Sequence, residues 1–264
     1  MEKWRLLDTG KATAEENMAI DESLLISHAR GLSLPTIRFY SWSPSAISLG
    51  SSQKLEEIDR VACRANGVDV VKRITGGRAV FHDDELTYSL VAAEDNQRIS
   101  GSITESYHKI SSGLYEGFKK LGADVEMARR PEKHAQNSAV CFDAPSWYEI
   151  VWQGKKVAGN AQTRRKNVIL QHGSIPLSMD IDKFVKLLNV KAENQREILS
   201  QSLKKKACGL DQVLKRKVTY AELKEALITS MEEQLQIILT PMTLTAQELE
   251  IARNLITENK YSLK

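Results

Sequence analysis

The sequence contains few cysteines and little net charge. Its three cysteines, Cys63, Cys141 and Cys208, lie far apart and form no C-x-x-C pair. This spacing indicates neither a disulfide framework nor a zinc site. The formal net charge of +3 on 264 residues is also too small to indicate a nucleic-acid partner. We therefore expect a protein that binds no metal and no nucleic acid.

Long apolar runs are missing as well. No segment approaches the roughly 20 residues needed to span a membrane, and the N-terminus, Met1-Glu2-Lys3-Trp4-Arg5, has no apolar signal segment. We therefore expect no membrane partner and a cytoplasmic location. Hydrophobic residues make up 42% of the chain and charged residues 27%, which is typical of a globular protein. Because no repeat or linker divides the chain, we expect a single domain over residues 1–264.

The first half of the chain mixes helix and strand signals. Capping boxes begin at Thr13 and Ser102 and predict helices that run to about residues 30 and 122. A further helix is predicted over 55–66, with Cys63 as a core residue. Alternating polar and apolar residues predict strands over 36–42 and 69–73. They also predict a returning pair of strands, 79–81 and 86–92, around a polar turn.

The second half begins with strands and ends with helices. A polar loop is predicted over 128–137, followed by a meander of strands over 147–153, 156–163 and 168–175 with basic turns. Helical patterns then cover 181–188, 192–206, 220–238 and 246–258. This order favours an α+β fold, in which a mixed β-sheet is flanked by helices and followed by a helical C-terminal section.

One thiol and one ammonium group are candidates for catalysis. Cys141 lies in the segment S-A-V-C-F-D, and Lys156 follows it fifteen residues later. A thiol reacts as the thiolate, which a nearby cation favours; at a pKa of ~8.5 only ~3% is ionised at neutral pH. The alternative is that Cys141 is a small buried apolar residue.

A glycine pair follows the strand predicted over 69–73. The segment reads Arg73-Ile74-Thr75-Gly76-Gly77-Arg78. Glycines allow backbone N–H groups to approach a ligand closely, although a tight turn also uses them. Since the second glycine is followed by arginine and alanine, this is not a Walker-type phosphate loop. It does not match the dinucleotide-binding pattern either.

The third segment is Gly154-Lys155-Lys156-Val157-Ala158-Gly159-Asn160-Ala161. A lysine beside small residues can project into a cleft, or it can lie on an ordinary surface strand. The basic residues between 154 and 166 form either a solvated hairpin or a positive field that steers an acidic partner or holds a phosphate. For His82 and His172, the interpretation as hydrogen-bonded turn residues is favoured over that as catalytic bases.

Together, these segments resemble the biotin/lipoate protein ligase superfamily over residues 31–239, the expected catalytic core. The resemblance lies in R-F-Y-S-W at 38–42, R-I-T-G-G-R-A-V-F-H-D at 73–83 and G-K-K-V-A-G-N-A at 154–161. It implies the fold of that superfamily. It also implies a set of substrate-binding residues: Arg73, Gly76, Gly77, Arg78, His82, Gly159, Asn160 and Ala161.

Within the superfamily, octanoyltransferases of the LipM type look most similar. Their hallmark stretch resembles S-A-V-C-F-D-A-P-S-W-Y-E at 138–149, and their loop and strand resemble T-G-G-R at 75–78 and H-D-D-E-L-T-Y at 82–88. The resemblance implies that Cys141 carries the acyl group and that Lys156 activates it, without a cofactor. The implied donor is octanoyl-acyl carrier protein. The implied acceptor is a lysine of a lipoyl domain, most often the glycine cleavage H protein.

Other activities stay open. ATP-dependent lipoate ligases usually read R-R-x-[ST]-G-G-G in the loop, where this chain has Lys72 and Arg78 in place of the first arginine and third glycine. They need no nucleophilic cysteine and often carry an accessory domain. Amidotransferases that act between lipoyl domains use a similar cysteine, but their loop departs further. A non-catalytic acyl-binding or regulatory module and a thioesterase that uses Cys141 and His172 are the remaining alternatives.

Overall fold

The computed structural model describes residues 1–128, 148–261 and 263. Within these residues the chain forms twelve β-strands and eight α-helices. The strands are β1 (Glu2–Ala12), β2 (Thr36–Trp42), β3 (Ala46–Leu49), β4 (Asp69–Lys72), β5 (Val80–His82), β6 (Glu85–Ala93), β7 (Glu126–Ala128), β8 (Glu149–Trp152), β9 (Lys155–Lys156), β10 (Gly159–Arg165), β11 (Val168–Pro176) and β12 (Ile237–Pro241). The helices are α1 (Ala14–Ala29), α2 (Arg60–Ala65), α3 (Ile103–Lys120), α4 (Ile181–Lys186), α5 (Glu193–Lys206), α6 (Leu210–Leu214), α7 (Tyr220–Leu235) and α8 (Ala246–Thr257).

The described strands form three sheets. The largest has six strands in the order β10-β11-β6-β2-β1-β12 and is mixed, because β1 runs parallel to both β2 and β12 while the other pairs are antiparallel. A three-stranded sheet, β4-β3-β5, holds the segment before and after the glycine pair. A second three-stranded sheet, β7-β8-β9, is antiparallel and contains Lys156.

Helices cover both faces of the six-stranded sheet. Helices α3 and α7 pack on one face through Leu114, Phe118 and Met231, and α1 packs on the other with α8 behind it. A Cβ atom on Gly113 of α3 would lie only 2.4 Å from Sδ of Met231, so glycine permits the close approach of α3 to α7. The α+β class and its flanking helices are therefore confirmed.

Strand β2 shows how the sheet divides its two faces. Ile37 and Phe39 belong to the apolar core under α3 and α7. Their neighbours Arg38 and Tyr40 point to the opposite face, where both contact Asp21 of α1. The predicted alternation is correct, but the strand is buried on both faces rather than on one. The α1 face therefore carries buried polar groups, while the α3 face is mainly apolar.

The predicted helix starts are accurate. Thr13, Ser102 and Thr245 each form a complete capping box with the glutamate three residues later. Thr219 also caps its helix by accepting a hydrogen bond from the backbone of Glu222. These contacts are local, so the sequence is sufficient to predict them. None of the described helices combines the length and apolar character required to cross a bilayer.

Three element predictions are wrong. The helix over 55–66 is instead a 3₁₀ turn, Leu55–Glu57, followed by α2, because Ile58 is extended and pairs with Leu188. Strands β5 and β6 do not pair with each other, since β5 pairs with β3 while β6 enters the six-stranded sheet. The helix over 220–238 ends at Leu235, where Gln236 adopts a left-handed conformation and β12 begins.

The strand predicted over 156–163 is also wrong, because it is divided between two sheets. Lys156 ends the short strand β9, and the next strand of the chain, β10, begins only at Gly159 in the six-stranded sheet. The hairpin of β10 and β11 is present as predicted. The loop expected over 128–137 lies outside the described residues except for Ala128, which ends β7.

Candidate active site

A cleft lies between Arg73, the first residue of the glycine-loop segment, and the start of β10. Its apolar wall includes Met18, Tyr40, Trp42 and Val80. Its polar wall includes six residues from the segments singled out in the sequence: Arg73, His82, Gly159, Asn160, Ala161 and His172. A depression with an apolar wall and convergent polar groups is the usual form of a small-molecule site. The fold therefore brings the predicted segments together.

Arg73 is buried behind the cleft, with only 4% of its surface exposed. Its Nη2 atom donates to the carbonyl oxygens of Gly76, at 2.9 Å, and Arg78, at 2.7 Å. Its Nη1 atom donates to the carbonyl oxygen of Ser48, at 2.7 Å. The guanidinium group thus holds the glycine loop against β3.

The two glycines of the loop have different surroundings. Gly77 has φ of +91°, and a Cβ atom there would lie 3.0 Å from Nη2 of Arg73. The fold itself therefore requires glycine at this position. A Cβ atom on Gly76 would meet nothing within 4 Å. Open space beside Gly76 is what a backbone group that approaches a ligand needs. Neither glycine, nor Arg78, lines the cleft described above.

Both histidines of the cleft lie between a carboxylate and a hydroxyl group. In His82, Nδ1 is 2.8 Å from Oε1 of Glu85, and Nε2 is 2.7 Å from Oγ of Ser48. In His172, Nδ1 is 3.1 Å from Oδ2 of Asp21, and Nε2 is 2.7 Å from Oγ1 of Thr75. Each imidazole is therefore held from both sides.

The interpretation of the histidines as turn residues needs a correction. His172 lies in the middle of β11, so for this residue the turn prediction is wrong. His82 ends β5 just before the turn and stacks on the indole of Trp42, with ring centroids 3.9 Å apart. Burial lowers the pKa of His172, and the nearby charge of Arg73 adds to that effect, although Asp21 opposes it.

Two buried carboxylates, missed in the sequence, anchor the histidines. Asp21 accepts hydrogen bonds from Arg38 at 2.7 Å, from Tyr40 at 2.9 Å and from Ser89 at 2.8 Å, besides His172. Burial by itself raises the pKa of the Asp21 carboxyl, but the charge of Arg38 and the contact with His172 outweigh it and hold the pKa below its ordinary value.

Glu85 has a matching set of donors. Besides His82, its carboxylate accepts from Nε1 of Trp42 at 3.0 Å, from Oγ of Ser174 at 2.5 Å and from the hydroxyl of Thr87. These donors come from β2, β6 and β11. No local pattern marks Asp21 and Glu85 in the sequence, although Glu85 falls within the H-D-D-E-L-T-Y run that carries the family resemblance.

The start of β10 borders the cleft mainly through its backbone. Gly159, Asn160 and Ala161 pair with Ser174, Gly173 and His172 of β11. Oδ1 of Asn160 accepts a hydrogen bond from the hydroxyl of Tyr88 at 3.0 Å. Since Tyr88 belongs to the core under α3, the side chain of Asn160 turns toward the face opposite α1.

Lys156 is buried and does not line this cleft, so it does not lie on an exposed surface strand either. Its Nζ atom is 2.5 Å from Oε1 of Glu149, and both side chains are less than a tenth exposed. The two residues lie on the β8–β9 hairpin, and the backbone of Lys156 also accepts a hydrogen bond from Cys208. Glu149, the carboxylate beside Lys156, was not among the site residues predicted from the sequence.

The predicted nucleophile, Cys141, lies outside the described residues, as do residues 129–147 around it. The other two cysteines are buried in separate cores, Cys63 with α2 and Cys208 beside Lys156. Burial raises the pKa of both thiols to about 11. They are therefore protonated at neutral pH, which makes them poor nucleophiles.

The basic residues between 154 and 166 do not form one exposed patch. Arg165 and Lys166 are exposed at the β10–β11 turn, whereas Lys156 is buried and paired with Glu149. Arg164 lies 3.4 Å from Glu94 and also donates to the carbonyl of Gly101. Within the described ranges, no group of three or more His, Cys, Asp or Glu side chains is arranged to hold a metal ion.

Fold and cleft together define a catalytic domain of the lipoyl ligase class. Residues 13–232 match the family model described as the lipoyl protein ligase A/B catalytic domain, and the chain belongs to this family. Three curated relatives are named octanoyltransferase LipM. The Geobacillus kaustophilus protein is 44% identical, covering 100% of this chain and 99% of its own. The Moorella thermoacetica protein is 46% identical over 94% and 92%, and the Bacillus subtilis protein 42% identical over 99% and 96%.

Solved structures show the same fold. An archaeal bipartite lipoate protein ligase from Thermoplasma acidophilum, studied with its E2 lipoyl domain, superposes with a TM-score of 0.81 and 25% identity, covering 98% of this chain and 93% of the other. A lipoate-protein ligase A bound with ATP gives a TM-score of 0.80 and 25% identity, covering 98% and 95%. The predicted superfamily and its fold are confirmed.

Proposed function

We propose that this chain is an octanoyltransferase of protein lipoylation. The octanoyl group moves from octanoyl-acyl carrier protein to Cys141 as a thioester, and then to the ε-amine of a lysine on a lipoyl domain. We assign the glycine cleavage H protein as the acceptor and the cytoplasm as the location. One observation carries the proposal: identity of 42–46% to octanoyltransferases over almost the whole length of each chain.

The first half-reaction exchanges one thioester for another. The Cys141 thiolate attacks the acyl carbonyl, a new C–S bond forms, and the C–S bond to the carrier breaks so that the carrier leaves as a thiolate. No ATP is needed, because the two thioesters are nearly equal in energy. A cation close to the attacking sulfur favours its thiolate form, and we assign that role to Lys156.

The second half-reaction makes an amide. The ε-amine of the acceptor lysine attacks the octanoyl thioester, a C–N bond forms, and the bond from the carbonyl carbon to the sulfur of Cys141 breaks. The amine loses one proton, and the departing sulfur regains one, so atoms and charge balance. Because an amide is more stable than a thioester, this step runs downhill. It restores the free thiol for the next cycle.

The pair of Lys156 with Glu149 supports a fixed cation rather than a mobile base. A lysine held at 2.5 Å by a buried carboxylate is stabilised as an ammonium. In this arrangement Lys156 stabilises anionic sulfur in both half-reactions. The proton of the attacking amine then passes to sulfur or to solvent rather than to Lys156. Glu149 acts through Lys156 as a positioning residue.

Gly76, His82, Gly159 and Ala161 bind substrate in this proposal. Gly76 has open space beside it, and Gly159 and Ala161 border the cleft with small side chains or none. Backbone N–H groups in such positions can stabilise the oxyanion that develops on the acyl carbonyl. His82 and the apolar wall of the cleft contact the acyl chain.

The experiment that tests this function is intact-mass analysis after incubation with octanoyl-acyl carrier protein. We expect one octanoyl adduct on the protein, which disappears when apo H protein is added and reappears on that acceptor. Cys141→Ala should take up no octanoyl group. Cys63→Ala, which removes the buried thiol of α2, should still form the adduct. An adduct on Cys141→Ala would overturn the covalent mechanism.

A ligase activity is the second candidate, because a lipoate-protein ligase A bound with ATP shares the fold over 98% of this chain. The assay supplies lipoate and MgATP with the H protein and leaves out acyl carrier protein. We expect no transfer. Lipoylated product would make the chain an ATP-dependent ligase. Octanoylated H protein offered as the sole donor tests amidotransfer between lipoyl domains in the same way.

A further inference from the structure

Arg73 has all five of its N–H donors engaged by the chain itself. Nη2 donates to the carbonyls of Gly76 and Arg78, and Nη1 donates to the carbonyl and the hydroxyl of Ser48. Nε donates to the hydroxyl of Thr75 at 3.1 Å. A guanidinium group has five such donors and no acceptor. Arg73 therefore has no donor left for a ligand, although the sequence resemblance implies that it binds substrate.

We infer that Arg73 is a positioning residue that fixes both cleft histidines as Nδ1-protonated tautomers, so that neither imidazole offers a hydrogen bond to a bound molecule. The inference rests on the proposed function only where it concerns the acyl chain. Its structural basis is the direction of the hydrogen bonds.

The first arm runs from Arg73 through Thr75 to His172. Because Oγ1 of Thr75 already accepts from Arg73, its own proton is directed to Nε2 of His172, 2.7 Å away. Nε2 must then be the unprotonated nitrogen. The proton of the imidazole is on Nδ1, which donates to Asp21. Any other assignment leaves the Thr75 hydroxyl without an acceptor among the described residues.

The second arm repeats this pattern through Ser48 and His82. Oγ of Ser48 accepts from Nη1 of Arg73 and lies 2.7 Å from Nε2 of His82. By the same reasoning its proton is directed to Nε2, and Nδ1 of His82 donates to Glu85. Two chains of hydrogen bonds, each through one hydroxyl group and one imidazole, thus run from Arg73 to two different carboxylates, those of Asp21 and Glu85.

The carboxylates close the network. Asp21 accepts from four groups, and Glu85 also accepts from four. Of the residues that line the cleft in the described chain, Asn160 alone has a buried donor without a partner, its Nδ2 atom. That side chain turns toward Tyr88, on the other face of the sheet. Apart from Asn160, the buried side-chain donors of the described cleft wall are thus already engaged by the protein.

The engagement of these side chains favours one class of ligand group in the cleft. A buried hydroxyl or charge on a ligand loses its water and finds the buried side-chain donors already engaged, whereas an alkyl chain has no hydrogen bond to lose. The cleft is therefore suited to a saturated acyl chain. For an acyl donor that ends in a hydroxyl group, such as 8-hydroxyoctanoyl-acyl carrier protein, we expect kcat/KM to be reduced by roughly 10²-fold relative to octanoyl.

The decisive test is histidine ¹⁵N NMR, which does not depend on activity. We expect Nδ1–H tautomers for both residues in the unmodified chain. Thr75→Val removes the donor to Nε2 of His172, so the pH at which His172 titrates should rise by about one unit. Thr75→Ser keeps the hydroxyl and should leave the titration unchanged. The titratable and charged groups that face His172 are Asp21 of α1, Arg73 and His82, with Arg38 behind Asp21.

Each outcome bears on a different claim. An Nε2–H tautomer at either histidine, or no change in the titration of His172 in Thr75→Val, overturns the inference. If Thr75→Val fails to fold, the tautomers of the unmodified chain decide the matter. Equal kcat/KM for the two donors overturns the conclusion about the acyl chain. If neither donor yields an adduct, the proposed function fails while the tautomer result stands.

Discussion

The Arg73 cleft and the Lys156 hairpin both bury a cation, but they hold it in opposite ways. Arg73 is engaged by backbone carbonyls and hydroxyls from β3 and the glycine loop. Lys156 is held by the carboxylate of Glu149 at the end of a two-residue strand. Arg73 therefore holds the glycine loop against β3, whereas Lys156 is the cation to which the proposed mechanism gives a role in the reaction.

Among the variants of these two regions, Lys156→Met should have the largest effect on acylation and stability. In the proposed mechanism Lys156 activates Cys141, so without its charge the rate of acylation by octanoyl-acyl carrier protein should fall about 10³-fold. Because the change also removes the ammonium group from the buried carboxylate of Glu149, stability should fall by about 3–5 kcal/mol. Single-turnover acylation, followed by intact mass, and urea unfolding measure the two effects.

A matched double variant separates those two effects. Glu149→Gln combined with Lys156→Met removes both charges and should recover much of the lost stability, but none of the lost acylation rate. If the double variant regains activity, Lys156 acts on stability alone. Glu149→Gln by itself should slow acylation less than Lys156→Met, because it disturbs the position of the cation without removing it.

A smaller effect should appear in the pH dependence of stability on the cleft side. The pKa of His172 is lowered in the folded chain by burial. Near pH 6.5 the imidazole of His172 therefore binds a proton in the unfolded chain but not in the folded chain. Stability from this residue is present above about pH 6.5 and is lost as the pH falls toward the folded pKa, by at most about 1.4 kcal/mol per pH unit.

Urea unfolding between pH 5 and pH 8 measures this slope. His172→Gln removes the titrating group, so the acid-side loss of stability should become shallower in that variant. A slope identical in both proteins would mean that His172 is not held neutral by the fold. Asp21 adds no slope in this range, since its pKa is held below its ordinary value.

The two loop glycines should differ from each other in their effect on stability. Gly77→Ala forces a residue with Cβ into φ of +91° beside Arg73 and should cost about 1–3 kcal/mol. Gly76→Ala meets no neighbour within 4 Å, so its stability should change by less than about 1 kcal/mol. If Gly76 lies against the substrate, its variant should still slow acylation. Unfolding and acylation measured on both variants separate packing from binding.

The sequence predicted those parts of the fold that depend on near neighbours. Capping boxes at Thr13, Ser102 and Thr245 join residues three positions apart, and their helices begin where expected. Three residues named by the family motifs, His82, Gly159 and Ala161, line one cleft. The roles of these residues, and of Cys141 and Lys156 as a catalytic pair, remain predictions that await the experiments above.

The interactions that complete the cleft join residues far apart in the chain, so they could not be predicted from local sequence patterns. Asp21 contacts His172 across 151 positions, and Thr75 contacts the same histidine across 97. Neither pairing can be deduced without the sheet order. The contact between Lys156 and Glu149 was easier to predict from the sequence. A hairpin turn at Gly154 brings these two residues onto neighbouring strands, and the positive φ of Gln153 and Gly154 agrees with such a turn.

The outer edge of the six-stranded sheet has a consequence for how the domain is delimited. Strands β1 and β12 lie just outside the stretch that the family shares, residues 13–232, and they come from the two ends of the chain. Without them β2, which is buried on both faces, would become an edge with unpaired backbone groups. In this chain the shared stretch is therefore not self-sufficient, since the segments that shield its sheet are supplied from beyond its boundaries.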